Sequence, residues 1–138
     1  MVILKGLRWT LLGLIASSGV LGSAPSAELS KIESLAKARH EAAMKQYDET
    51  WAYYQQARID SYQVYVWSRI VLDCRRDMAQ KAADRITALE EHLDRMNKLE
   101  VLITRIRRLG FGRSYDVGSA AYYRIEAEFW LEVARSGK

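Results

Sequence analysis

The sequence predicts an all-α protein of antiparallel helical hairpins in tandem, either a four-helix bundle or three long helices with a kinked central one. Three observations predict it. The 138 residues include a single proline, with 49% hydrophobic and 28% charged positions, a balance that suits helices and is wrong for disorder. Apolar residues recur at three- and four-residue steps from Ser30 onward, and no stretch alternates with the period of a strand. Two short turns, around 57–60 and 109–113, interrupt that rhythm and resemble each other.

Ahead of the helices, Met1 to Arg8 forms a short basic start, Trp9 to Gly22 carries no charge, and Ser23-Ala24-Pro25-Ser26-Ala27 follows with small residues. Basic, apolar and small in that order is the pattern of a secretory signal peptide. The apolar run of about 14 residues is short for a bilayer span, which takes about 20. Cleavage after Ser26 places Ala24 at the −3 position, so 1–26 is read as the signal and 27–138 as the helical hairpin domain, with no membrane span. An uncleaved anchor is the alternative. The destination is the periplasm or the extracellular space.

Removing Lys5 and Arg8 with that segment leaves 19 of the 21 basic residues against 17 acidic ones, so the domain is near neutral. Its charges are interspersed, without the basic stripe that nucleic acid requires. The one local cluster, Arg105, Arg107, Arg108 and Arg113, has an anion site as its alternative to plain surface. Cys74 is the sole cysteine, which excludes an intramolecular disulfide. It is read as a small buried hydrophobe, with a dimer-forming or reactive thiol as the alternative.

The first helix is expected from about Ser30 to Gln56, with Ile32, Leu35, Ala36, Ala43, Tyr47, Trp51 and Tyr54 along its apolar face. Asp60 opens the second. As N-cap it accepts from a free first-turn amide, and Gln63 three residues on completes a capping-box pattern. Val64, Trp67, Val71, Cys74 and Met78 follow at 3-4-3-4 spacing, a seam that packs on a neighbouring helix. Continued, that seam would bury Lys81 and Arg85. A new one starts out of phase at Ile86, Leu89, Leu93, Met96, Leu99, Ile103 and Ile106, which places a break or kink between Arg76 and Ala83. Gly110 and Gly112 supply positive φ for a tight stop. The last helix runs from Arg113-Ser114 to about Arg135, with Asp116 in its first turn suited to the helix dipole. One stripe of it is Ala120, Tyr123, Ala127, Trp130 and Ala134. A second is Tyr122, Ile125, Phe129 and Val133, and the pair predicts a wide buried face.

The turns Gln56-Ala57-Arg58-Ile59-Asp60-Ser61-Tyr62-Gln63-Val64 and Leu109-Gly110-Phe111-Gly112-Arg113-Ser114-Tyr115-Asp116-Val117 align at an offset of 53 residues, Ala57 facing Gly110 and Gln63 facing Asp116. Each copy is helix, short turn, helix, so the chain reads as two αα-hairpins. The second turn and its Ala- and Glu-rich helix resemble the helical-hairpin turn of outer-membrane efflux proteins of the TolC type. Tyr65-x-Trp67-Ser68-Arg69, His92-Leu93-x-Arg95-Met96 and the stretch from Ala121 to Leu131 are similar to small exported proteins of unknown function of a planctomycete type. The first resemblance implies a shared hairpin and not a channel. Efflux proteins of that type are several times longer and add barrel strands, and this chain has Ala57 where they prefer Gly.

Motifs for chemistry fall short. His40-Glu41-Ala42-Ala43-Met44 lacks the second histidine of the zinc-protease pattern. His92 and Met96, one turn apart, are read as a surface flank and a core residue rather than metal ligands. Glu90, Glu91 and Glu100 are read as solvated faces. No nucleophile–base–acid set or phosphate loop assembles, so no enzyme activity, cofactor or metal is expected, and no small-molecule ligand. Aromatics crowd the first turn, and Trp51, Tyr54, Tyr62, Tyr65 and Trp67 are the candidate partner-binding residues. Asp60, Gly110, Gly112 and Asp116 mark the turns. The sequence thus points to a non-enzymatic exported interaction or structural protein of the envelope, binding a protein partner or itself through aromatic helix faces. An accessory or remnant of an efflux assembly and a ligand- or metal-binding bundle are the alternatives.

Overall fold

The computed structural model describes residues 24–137, and these form four helices: α1 (Ala24–Gln55), α2 (Ser61–Met78), α3 (Ala82–Arg108) and α4 (Ser114–Arg135). No strand is present among the described residues. The basic start and apolar run of the expected signal peptide lie outside them. α1 begins six residues before the expected Ser30 and takes in Ala24 to Ser26, so it crosses the expected domain boundary.

α1 and α2 form one hairpin and α3 and α4 the second, with α2 packed on both α3 and α4. The α1 backbone comes within 8 Å of α2 alone, which leaves the bundle open on the side between α1 and α3. α2 is therefore the central helix and is buried on two sides. Val64, Val71 and Cys74 of the expected seam are sealed, and Ser61, Ser68 and Leu72 are buried beside them.

The break expected near 76–83 is present: Ala79 and Lys81 both have extended backbone, and α2 and α3 are separate helices. Neither glycine nor proline is needed, because the Asp84 carboxylate accepts from the Lys81 amide at 3.1 Å and caps the new helix. The new seam follows as expected, with Leu89, Met96, Leu99 and Ile103 buried.

The two hairpin turns stop their first helix in the same way and then diverge, Gly112 being left-handed where the aligned Ile59 is not. Ala57 N–H donates to the Tyr54 carbonyl at 2.9 Å and Arg58 N–H to Tyr53 at 3.0 Å. In the second turn Gly110 N–H donates to Arg107 at 3.0 Å and Phe111 N–H to Ile106 at 3.1 Å. Both are Schellman stops with a left-handed residue at the aligned position, Ala57 at φ 57° and Gly110 at φ 83°. Asp60 then caps α2, its Oδ1 accepting from Gln63 N–H at 3.2 Å. Gly112 has φ 76°, and a Cβ there would meet Ile106 Cγ2 at 3.1 Å. Asp116 sits in the first turn of α4 with Oδ1 buried and unpartnered and Arg113 Nε at 3.9 Å.

Two expectations about burial are corrected. α1 runs past the end of α2, where Arg39 pairs with Asp77, and it leaves Leu29, Ile32 and Leu35 exposed. On α4 the Tyr122, Ile125, Phe129 stripe faces solvent instead of widening the core, because α1 does not reach α4.

Candidate functional site

The core holds a polar cluster that the seams do not announce. His92 and Ser68 are fully buried (0% exposed) and Arg95 is 9% exposed. Arg95 Nε donates to Ser68 Oγ at 2.8 Å, and Ser68 Oγ lies 2.8 Å from His92 Nδ1. His92 Nε2 is buried without a hydrogen-bond partner, so the imidazole is held through Nδ1 alone. Burial, then the charges of Arg95 and Arg69, push the His92 pKa down to about 3. Burial likewise lowers the Arg95 pKa, and no carboxylate lies within 4 Å of it among the described residues. Its guanidinium rests 5.6 Å from the Tyr47 ring centroid instead, and burial raises the Tyr47 phenol to about 12.

His92 is thus a core residue, which corrects its reading as a surface flank. Its side chain stacks on Trp130 at 6.0 Å. The signal was in the spacing: His92 precedes Met96 and Leu99 by four and seven residues, so it shares their face. The Ser68–His92 pair has the separation of a nucleophile and its base, but neither residue has exposed surface for a substrate. Next to it, Arg69 lies over the Trp130 ring at 4.1 Å and donates to Tyr65 Oη at 3.1 Å, and Tyr65 donates to Glu126 Oε2 at 2.6 Å.

The five aromatic candidates divide. Trp51, Tyr54, Tyr65 and Trp67 are half-buried and pack against the main core, Tyr65 stacking on Tyr123 at 4.1 Å. Tyr62 alone of the five is exposed. Glu90, Glu91 and Glu100 pair with Arg135, Arg75 and Arg124. No group of three or more metal-ligating side chains occurs among the described residues. Between α1 and α3 runs an open groove of about 780 Å³ with Tyr47, Trp51, Val101 and Leu102 in its walls. Three acidic residues (Asp48, Glu91, Asp94) balance three basic ones (Arg95, Lys98, Arg105) along it.

The exposed aromatic surface lies on α4. Tyr115, Gly118, Tyr122, Ile125 and Phe129 follow one another at 3-4-3-4 spacing, the rhythm of a helix-pairing seam. All are exposed, with Tyr122, Ile125 and Phe129 at 58%, 54% and 63%. Gly118 sharpens the point. A glycine inside a helix costs up to about 1 kcal/mol against alanine, and a Cβ here would meet nothing within 4 Å. Packing inside the chain gives no reason for it, whereas a second backbone approaching α4 would. Flanking the seam, Arg69, Arg124 and Arg135 are shared among five carboxylates, Glu90, Glu100, Glu126, Glu128 and Glu132, leaving the surface net acidic. Sequence reasoning took Tyr122, Ile125 and Phe129 for core because their residue types are those of a core.

No protein-family model matches the chain, and no curated protein or solved structure matches it.

Proposed function

We propose that the chain is a non-enzymatic, exported helical interaction protein of the cell envelope, and that it takes a partner protein's helix along the outer seam of α4. One observation carries the reading: a heptad-spaced apolar stripe, with an otherwise unexplained glycine, left in solvent on a helix whose opposite face is sealed. Seams of this kind associate by burying apolar side chains against a second helix. The acidic flanks select a partner with basic flanks. Export rests on the basic, apolar and small order of residues 1–26. No described helix is long and apolar enough to cross a membrane.

The test is a titration of the intact protein with two designed heptad helices, one flanked by lysine and one by glutamate. The lysine-flanked helix binds and the glutamate-flanked one does not, and Phe129→Glu removes binding while circular dichroism is unchanged. Equal binding of both helices, or of neither, contradicts the reading. A second reading, docking of the hairpin tip onto another envelope component as in an efflux assembly, is favoured by the exposed Leu109, Phe111 and Tyr115 at the second turn. In that case Phe111→Glu, not Phe129→Glu, abolishes association.

A further inference from the structure

A second cavity, of about 570 Å³, lies where the last turns of α2, the first turns of α3 and the end of α4 meet. Its walls carry three guanidinium side chains, Arg69, Arg76 and Arg85, and no acidic residue. The groove between α1 and α3 is charge-balanced by contrast. The apolar part of the wall comes from Ile86, Val133 and the indole of Trp130.

Three cations around one hollow repel one another, and little within the chain offsets them. Arg69 reaches Glu126 only at 3.7 Å, and its Nε is buried without a hydrogen-bond partner. Arg85 donates its backbone N–H to the Lys81 carbonyl, but its guanidinium has neither an ion pair nor a hydrogen bond among the described residues. Arg76 has Asp73 at 4.0 Å, the outer limit of an ion pair. The other nearby acid, Asp77, shares an adjoining depression with Asp73, Arg76 and Arg85 but is held by Arg39 at 2.6 Å. Ala82, the first residue of α3, also lines the cavity, next to the helix start that Asp84 caps. Guanidinium groups hold carboxylates and phosphates by forked, charge-assisted hydrogen bonds, and the cavity volume falls in the range of small-ligand sites.

We propose that this cavity binds an amphipathic anion, a carboxylate or phosphate head carrying a short apolar tail. The head lies among Arg69, Arg76 and Arg85, and the tail against Trp130, Ile86 and Val133. The arginines come from two helices and are separated in sequence by the Ala79–Lys81 break, so only folding brings them together.

The experiment titrates the full chain with octanoate, octyl phosphate and, as the uncharged control, octanol, with the Trp130 indole proton followed by NMR. Phosphatidylglycerol vesicles form a further arm. Both anions bind and shift Trp130, and octanol binds at least about tenfold more weakly. Arg76→Gln with Arg85→Gln weakens anion binding by about tenfold or more, and because both side chains are exposed the fold is unaffected, which circular dichroism checks. Binding to vesicles that the same double variant abolishes identifies a lipid headgroup as the source of the anion. Binding of the free anions alone identifies a soluble one. Octanol binding as tightly as octanoate, full affinity in the double variant, or no binding by any probe overturns the proposal. Phe129→Glu leaves octanoate binding unchanged, so this site and the α4 seam stand or fall separately.

Discussion

The two faces of α4 are made of similar residues and meet opposite fates. Ala120, Tyr123, Ala127 and Leu131 are buried, and Tyr122, Ile125 and Phe129, a few residues away on the same helix, are exposed. Hydrophobicity does not separate them. What separates them is topology: α3 and α2 occupy one side of α4, and α1, which a closed four-helix bundle would place on the other, stays with α2. The fold, not the residue type, therefore decides which apolar stripe of α4 is buried within the chain.

The comparison breaks most plainly by truncation. Leu131→Ala on the inner face costs about 3 kcal/mol, the transfer and cavity cost of a buried leucine. Phe129→Ala on the outer face stays within about 0.5 kcal/mol. Urea denaturation of the two variants checks this, and equal losses would mean that the faces are not differently placed.

Next in size is the effect of pH on the inner side. The His92 pKa falls from 6.5 in the unfolded chain to about 3 on folding. The unfolded chain therefore takes up the proton first, so the contribution is complete above about pH 6.5 and is lost as pH falls toward 3. At 1.36 kcal/mol per pH unit, going from pH 7 to pH 5 removes about 2 kcal/mol. His92→Gln reduces that slope without removing it, because burial lowers the His40 pKa as well, while substitutions on the outer face leave it as it is.

The two turns make a smaller comparison of the same kind. Ala57 and Gly110 occupy the same left-handed position, where a Cβ costs about 1 kcal/mol. Ala57→Gly accordingly stabilises the protein by about 1 kcal/mol, and Gly110→Ala destabilises it by a similar amount, as read from thermal midpoints. The smallest effect concerns Gly118, whose replacement by alanine stabilises the isolated chain by up to about 1 kcal/mol through helix propensity alone. The same substitution weakens docking on the seam by holding the two backbones apart.

Much of the fold was legible because its signals are local. Asp60 and Gln63 marked the start of α2, the phase change after Met78 marked the break, and the 53-residue offset marked two turns whose helix stops match. Burial was less legible because it depends on partners that the sequence does not place. His92 was taken for surface by residue type although its spacing to Met96 put it inside. The outer stripe of α4 was taken for core because an exposed apolar stripe and a core face are written in the same residues. The arginine cavity was invisible for a third reason: Arg69, Arg76 and Arg85 converge only across a helix break.

The central claim is that α4 receives a partner helix on its outer seam. It is tested most directly by methyl NMR of the full chain during titration with the lysine-flanked helix. The Ile125 δ1-methyl signal shifts and saturates with the peptide, while the Val101 and Leu102 methyls of the groove between α1 and α3 do not move. Shifts confined to Val101 and Leu102, with Ile125 unchanged, would contradict the account and move the docking site to the groove.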